Sequence, residues 1–472
     1  MTAKAIGVCM LVAVFAAAGQ DVPELAAVRS QLDAQSAQMQ AMAARIEALE
    51  KLVARLAGSE EKKPAAAPAP APEAKSAEAR TRLHISGYAD FTSIYRSTFT
   101  GNGISTGFGT IPLEGTAEGR LGEFRESAAH SKLSFRLDTR LGGRDLTTFV
   151  ETDFLAAPQG NPFAGSNAHP LRMRLYWAQW RGAKWELLGG QSWSLLAPNR
   201  QGISPHPADI MSTQLIDPNY SVGLVWTRQA TVRVTRRWQR FTAAAALEDP
   251  EQIILDPRQA PADARGLGQR GTPGANQAPD VVIKVAYDAK AAHLEAAAIG
   301  RSFRVYAANR TQQASGGGVM LAGVAHAGRR LDVVSQNFLS AGGGRYVQVM
   351  PDVVVRPDGK LVRVFTASVL EGIELKLPQG LQAYGYYGLV YGRRAAYPGA
   401  GFGALTGSTV DNRTVAQTTI GFRHTFWREE GRGALSYAIN YSYLNRKLWD
   451  MTTAGARGQT HMVYTSFRYN LP

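Results

Sequence analysis

Arginine recurs at every second position in several apolar segments of the chain. Arg172 and Arg174 alternate with Leu171, Met173 and Leu175, so we expect both guanidinium groups on the face opposite these apolar side chains. A guanidinium group is planar and can hold a carboxylate or a phosphate with two hydrogen bonds. The chemistry that this spacing predicts is reversible binding of small anions. We assign that role to Arg136, Arg140, Arg172, Arg174, Arg233, Arg237, Arg423 and Arg468.

The alternation around these arginines is typical of strands with one apolar face. In residues 133–138, leucine and phenylalanine alternate with serine, arginine and aspartate. An arginine that faces lipid near the membrane midplane costs ~2–4 kcal/mol, so we expect these side chains to face a water-filled lumen. Alternatively, they pair with lumenal acids such as Asp138, Glu151 and Asp153 and only brace the wall. We expect about half of them to do so, and the remainder to attract anions.

Short turns and long loops alternate from His84 to the end of the chain. Leu141–Asp145 and Leu377–Gly380 are short, whereas Thr100–His130 and Glu248–Pro279 are long and rich in Gly, Pro or Asn. A ring of antiparallel strands that spans a membrane has short turns at one rim and long loops at the other. The chain therefore predicts an all-β transmembrane antiparallel β-barrel in a bacterial outer membrane.

We expect about 16 strands, within a range of 14 to 18, since the Gly/Val-rich stretch 342–355 could hide one more hairpin. A barrel of this width leaves an aqueous channel. The expected strands are 82–98, 131–141, 145–155, 171–181, 184–191, 226–237, 240–247, 280–288, 292–301, 318–327, 331–338, 361–376, 380–392, 413–427, 433–446 and 460–471.

The N-terminal region is expected to be a signal peptide (1–19), a periplasmic coiled coil (20–62) and an Ala/Pro-rich linker (63–81), followed by the barrel (82–472). Lys4 precedes an apolar core and a small-residue cleavage site, and the chain's single cysteine, Cys9, lies in that core. Apolar residues at alternating spacings of three and four then predict five heptads of an oligomerisation helix. An amphipathic helix on the barrel rim is the alternative. The seam residues are Leu25, Val28, Leu32, Gln35, Met39, Met42, Ile46, Leu49, Val53 and Leu56.

The loop at 193–223 contains four prolines, which keep it out of the sheet, and three polar groups: Arg200, His206 and Asp209. Folded into the lumen, such a loop would set the width of the channel. The alternative is a surface loop with ordinary turn prolines.

Three segments carry a family resemblance. Residues 171–176 (LRMRLY), 189–194 (GGQSWS) and 226–233 (WTRQATVR) resemble the DcaP-like porins, which share a paired-arginine strand, a Gly-Gln-Ser/Thr-Trp-Ser element and an Arg-Gln-x-x-Val-Arg strand. The resemblance implies a homotrimer of sixteen-stranded channels for small anionic solutes, dicarboxylates in particular. The final residues, Asn470-Leu471-Pro472, depart from a terminal aromatic residue, and long inserts near 252–278 and 340–357 alter the outer vestibule.

Other functions have weaker support. The 8 histidines are scattered without metal-ligand spacing, so we expect no enzyme activity, cofactor or metal. The net charge of +14 comes from arginines placed singly along strands, so we do not expect nucleic acid as a partner. The expected partners are small anionic solutes, outer-membrane lipid and further copies of the chain. The main alternative is a structural envelope tether whose coiled coil contacts the cell wall. The strands of a soluble β-sandwich or β-helix also alternate apolar and polar residues, but short turns and long loops do not alternate so regularly in these folds.

Overall fold

The computed structural model describes residues 81–156, 169–206, 221–254, 259–268, 273–347, 350–395, 401–403, 411–450 and 456–472. The predicted signal peptide, the predicted coiled coil and Asp209 lie outside these ranges. Within them, no helix is long and apolar enough to cross a membrane.

The described residues form strands joined by turns and loops, with a few single turns of 3-10 helix. The strands are β1 (Arg82–Arg96), β2 (Glu123–Ser127), β3 (Lys132–Leu141), β4 (Arg144–Asp153), β5 (Arg172–Arg181), β6 (Trp185–Trp193), β7 (Arg228–Trp238), β8 (Phe241–Glu248), β9 (Asp280–Asp288), β10 (Ala292–Ala307), β11 (Arg310–Ala327), β12 (Leu331–Ala341), β13 (Val353–Val355), β14 (Leu361–Arg363), β15 (Phe365–Lys376), β16 (Leu381–Gly392), β17 (Asn412–Glu429), β18 (Gly433–Leu448) and β19 (Arg457–Asn470).

Sixteen of these strands form one closed antiparallel barrel. Neighbours in the chain are neighbours in the ring, and β1 closes it by pairing with β19, from Tyr88 opposite Asn470 to Arg96 opposite Met462. On the other side of β1, β3 pairs with the first half of the strand and the short β2 with the second half. The predicted number of sixteen strands is confirmed. Among its described residues, the 342–355 stretch contributes one strand, β13, which pairs with β14 in a separate two-stranded sheet, so the described strands of the barrel do not reach eighteen.

One predicted loop proves to be a hairpin. We expected strands at 292–301 and 318–327 with a loop between them, but β10 and β11 stay paired up to Ala307 and Arg310. The two turn residues, Ala308 and Asn309, have φ of 54° and 57°, the left-handed backbone that a two-residue hairpin turn requires. The glycines at 316–318 suggested a loop. In the structure a Cβ at Gly316 would lie 2.6 Å from the Phe303 ring, so glycine is what lets β11 pass beneath that side chain.

Buried and exposed side chains alternate along the barrel strands, because one face of each strand is enclosed and the other faces the membrane. In β10, His293 and Glu295 are buried inside the barrel, whereas Leu294 points outward and is exposed. Near the short turns the outward face carries a row of aromatic rings, with centroids 6.2 Å apart for Trp238–Phe241 and 5.0 Å for Phe241–Tyr287. Aromatic girdles of this kind flank the apolar band of membrane barrels.

Long loops fold onto the extended β10–β11 hairpin. Phe303 and Val305 form a buried cluster with Val353, Val355 and Ile254. Below this cluster Arg301, fully buried, bonds Asp280 at 2.9 Å, Asp352 at 2.6 Å and the Gly342 carbonyl at 2.8 Å. The outer loops on this side are therefore a packed structure anchored to the barrel wall.

Candidate functional site: a loop across the lumen

The described parts of the 193–223 loop lie inside the barrel. Arg200 forms ion pairs with Glu374 of β15 at 2.5 Å and with Asp332 of β12 at 3.4 Å, and both carboxylates are buried. The Gly202 amide donates to Asp288 at the end of β9, 3.1 Å away. Because these acids lie at the short-turn ends of their strands, the loop reaches far into the lumen.

The segment before Arg200 follows the wall through a second buried contact. The Lys284 ammonium of β9 donates to the Ala197 carbonyl and to Glu295, each at 2.8 Å. The Asn199 amide donates to the same Glu295 carboxylate at 3.2 Å. Lys284 was not among the predicted site residues, because a single lysine in an alternating strand has no pattern that distinguishes it.

The loop then reaches the opposite wall. The His206 ring packs edge-on against Phe149 of β4 and Trp177 of β5, with centroids 4.2 and 4.9 Å away. The pair β4 and β5 lies eight strands from β12 and β15 in a ring of sixteen, which is the opposite side. The loop therefore crosses the lumen between Arg200 and His206.

Its return lies flat on the wall. The Val222 amide donates to the Gln417 side chain at 2.9 Å, and the Gly223 carbonyl accepts from Gln336 at 2.8 Å and also from Ser368. A Cβ at Gly388 of β16 would lie 1.7 Å from the Val222 carbonyl oxygen. Only glycine at 388 leaves room for the loop backbone here.

Charged residues on the β3–β5 wall face the crossing. Arg172 bonds Asp153 through two nitrogens, at 2.8 and 2.7 Å. Arg174 bonds Glu151 at 2.8 Å and Asp153 at 2.5 Å, and Lys132 lies 3.1 Å from Glu151. Three cations and two carboxylates thus form one cluster with a net charge of +1.

The relative placement of the paired arginines differs from the prediction. Leu175 lies opposite Glu151 and Met173 opposite Thr152, so Arg174 is the extra residue of a β-bulge. Leu175 is buried inside with Trp177, and not on the face of Met173 as simple alternation predicted. With the bulge, both arginines bond Asp153, and Arg174 also bonds Glu151.

Most of the other predicted arginines also have an acidic partner. Six of the eight predicted arginines are therefore paired with a carboxylate, whereas we expected about half. The remaining pairs are Arg136–Asp138 at 3.0 Å, Arg140–Asp145 at 3.3 Å, Arg237–Glu186 at 2.9 Å and Arg468–Asp90 at 2.7 Å.

Arg233 and Arg423 have no carboxylate partner in the part of the chain that the structure describes. Arg233 is buried on β7 with its Nε and Nη2 unbonded, and Arg423 on β17 has an unbonded Nε. Arg233 has Glu186 and Glu248 as its nearest acids, whereas Arg423 lies near Arg468 and Tyr384, so the structure does not bring the eight predicted arginines into one site.

In most of these pairs the cation is the more exposed partner, whereas Arg174 and Glu151 are both buried, at 8% and 10%. Side-chain exposure is 31% for Arg172 against 3% for Asp153, 24% for Lys132 against 10% for Glu151, and 44% for Arg237 against 3% for Glu186. At these three pairs the acid lies against the wall and the base lies over it.

The three resemblance segments meet at one place beside this cluster. The Arg174 and Arg228 guanidinium carbons lie 5.9 and 5.0 Å from the Trp193 ring centroid, and Trp226 packs on Trp193 at 3.8 Å. Arg228 belongs to the resemblance segment 226–233 but was not predicted as a site residue. The alternation of side chains along its strand gave no reason to place it beside Trp193.

The loop's histidine predicts a pH response. Burial lowers the pKa of His206 to about 4, below its usual value near 6.5. Below pH 6.5 a released loop takes up a proton more readily than the docked loop, so docking weakens by up to about 3 kcal/mol as the pH falls towards 4. We expect conductance in 1 M KCl to rise over this interval, and His206→Phe, which keeps a ring but cannot titrate, to give a flat curve. Identical pH curves for the two proteins would contradict this role. The charged groups that act on His206 are Glu151, Arg136, Arg233 and Lys132.

No model of a known protein family matches the sequence, and no curated protein matches it. Among solved structures, the outer membrane channel DcaP of Acinetobacter baumannii superposes with a TM-score of 0.63 at 15% identity, over 83% of this chain and 97% of that one. An anion-selective porin from Comamonas acidovorans gives 0.49 at 13% identity, over 83% and 100%. OmpT of Vibrio cholerae gives 0.48 at 10% identity, over 83% and 98%. The chain therefore has the porin-type barrel fold of the DcaP channel, as residues 171–233 predicted.

Proposed function

We propose that this protein is an outer-membrane channel for passive diffusion of small anionic solutes, dicarboxylates in particular. The observation that carries the proposal is the arrangement of the wall pairs, in which carboxylates are buried and the bases over them are exposed to the lumen. Exposed guanidinium groups in a confined, low-dielectric passage raise the local concentration of anions.

The loop crossing supports a preference for small solutes. Between Arg200 and His206 the loop passes from one wall to the other, and this divides the cross-section near the β3–β5 cluster. A solute that passes the loop on this side comes within reach of Arg172 and Lys132. The exposed positive groups of Arg172 and Lys132 favour a ligand with two carboxylates over one with a single carboxylate, because each ligand charge gains from the positive field of the cluster.

For assembly we propose a homotrimer with the predicted coiled coil in the periplasm. The support is the five-heptad seam at 25–56 together with the resemblance to the DcaP-like porins.

The test is the reversal potential of purified channels in a planar bilayer under a salt gradient. We expect anion preference near 0.01 M salt, where the Debye length is ~30 Å, and little preference near 1 M, where it is ~3 Å. Cation preference at low salt would contradict the anion proposal while leaving a channel. Absence of conductance at any salt concentration would favour the structural tether instead.

A further inference from the structure

The β10–β11 hairpin rises beyond the apolar band of the membrane. Leu294 and Tyr306 are twelve residues apart (306 − 294) on the outward face of β10, and both are exposed. At ~3.4 Å per residue and a tilt of ~40°, this is a height of about 31 Å, against an apolar band ~25 Å tall. Because Leu294 lies near the aromatic row at the short turns, Tyr306 lies at the level of the lipid headgroups on the outer side.

The two faces of this hairpin have different surroundings. Phe303 and Val305 point inward and are buried against the outer loops. Arg304 and Tyr306 point the other way, and Thr311 is directly opposite Tyr306 on β11, so these three share the outward face. That face continues the membrane surface of the barrel and does not face the lumen.

A cavity of about 330 Å³ opens at the edge of this hairpin, with Arg265, Arg304, Tyr306 and Thr311 as its polar lining. Arg265 is held in place because its backbone pairs with Tyr306, with N···O distances of 2.9 and 3.1 Å. Its Nη1 donates to two carbonyls of its own loop, at 2.7 and 3.2 Å. The Arg304 guanidinium has no partner among the described residues. No carboxylate is among the described residues that line the cavity. Asp263, the acid nearest to Arg265 in sequence, lies outside this lining and accepts the Ala308 and Asn309 amides of the hairpin turn. Arg304 is therefore the positive charge of the cavity that has no acidic partner among the described residues.

We propose that this cavity binds a phosphate group carried on a sugar, and that the headgroup of an outer-leaflet lipid supplies it. A phosphate monoester carries about −1.5 to −2 charges at pH 7 and three acceptor oxygens, which matches two guanidinium groups and two hydroxyls. The volume lies at the lower end of the range for small-ligand pockets, so it accommodates a sugar phosphate and leaves acyl chains outside. The position beside the membrane surface places those chains in the bilayer.

The test uses the full-length protein in detergent, with bisphosphorylated lipid A as the probe and bound lipid counted by native mass spectrometry. We expect Arg304→Gln to weaken lipid A binding about tenfold, the loss of one charge-assisted contact. Arg310→Gln is the matched control, because it removes the same charge from the same hairpin outside the cavity lining. Fully dephosphorylated lipid A should bind the wild type at least as weakly as lipid A binds Arg304→Gln, since it loses the contacts to both guanidinium groups.

Equal lipid A binding by the wild type and Arg304→Gln, or equal binding of lipid A and its dephosphorylated form, would overturn the proposal. A soluble sugar phosphate, glucose 1-phosphate, distinguishes the source. Affinity for it equal to that for lipid A would overturn the lipid assignment. Heat-dependent gel mobility reports whether each variant is folded. Conductance should be the same in Arg304→Gln as in the wild type, since the cavity is on the outward face, so this test is independent of the channel proposal.

Discussion

Replacing Arg200 with alanine is expected to release the loop from the lumen wall and to raise single-channel conductance. The change leaves Asp332 and Glu374 buried without the guanidinium group that bridges them. Asp332 keeps Lys376 and His326 as partners and Glu374 keeps the Tyr386 hydroxyl, so we expect a loss below the ~3–5 kcal/mol that follows when a buried charge is left with no partner. Conductance should be measured in 1 M KCl, where screening removes most of the charge effect and width governs the current.

Two further variants define this experiment. Arg140→Ala removes an arginine from an exposed pair at the rim and should leave the conductance unchanged. Gly388→Ala should displace the returning part of the same loop from the wall, since its Cβ would lie 1.7 Å from the Val222 carbonyl oxygen. If Arg200→Ala and Gly388→Ala both conduct like the wild type, the loop does not set the width of the channel.

The double substitution Arg172→Ala with Arg174→Ala is expected to reduce uptake of a small dicarboxylate far more than uptake of a neutral sugar of similar size. The cluster of three cations and two carboxylates has a charge of 3 − 2 = +1, and the double variant has 1 − 2 = −1. The net charge of this cluster therefore changes from positive to negative in the part of the lumen beside the loop crossing. The sugar responds only to width, which smaller side chains increase.

Liposome swelling with the two solutes measures this difference directly. Arg140→Ala again serves as the control for loss of a lumenal positive charge away from the cluster. We expect the ratio of dicarboxylate to sugar flux to fall at least tenfold in the double variant, which corresponds to about 1.4 kcal/mol in selectivity. An equal change in both fluxes would mean that this pair only braces the wall and that selectivity arises elsewhere.

Several features of the channel could be predicted from local sequence alone. The period-2 alternation defined all sixteen barrel strands, because the side-chain pattern of a strand with one lipid face repeats within a few residues. It also predicts that Arg136, Arg172 and Arg468 face the lumen, since lipid excludes arginine. The alternation of short turns and long loops likewise predicted that strands adjacent in the chain pair in antiparallel fashion. These inferences depend only on contacts close in the chain.

The sequence by itself thus determined the barrel and its strand number. Only the tertiary structure decided which arginines pair with a carboxylate, where the loop lies and which acids Arg174 contacts. Arg200 and Glu374 are 174 residues apart, and they meet because ring closure brings β15 opposite the loop's own strands. The bulge at Arg174 depends on the register of β4 against β5, which no pattern within β5 encodes. Such pairings follow from the geometry of the closed ring, and a local pattern contains no signal for them.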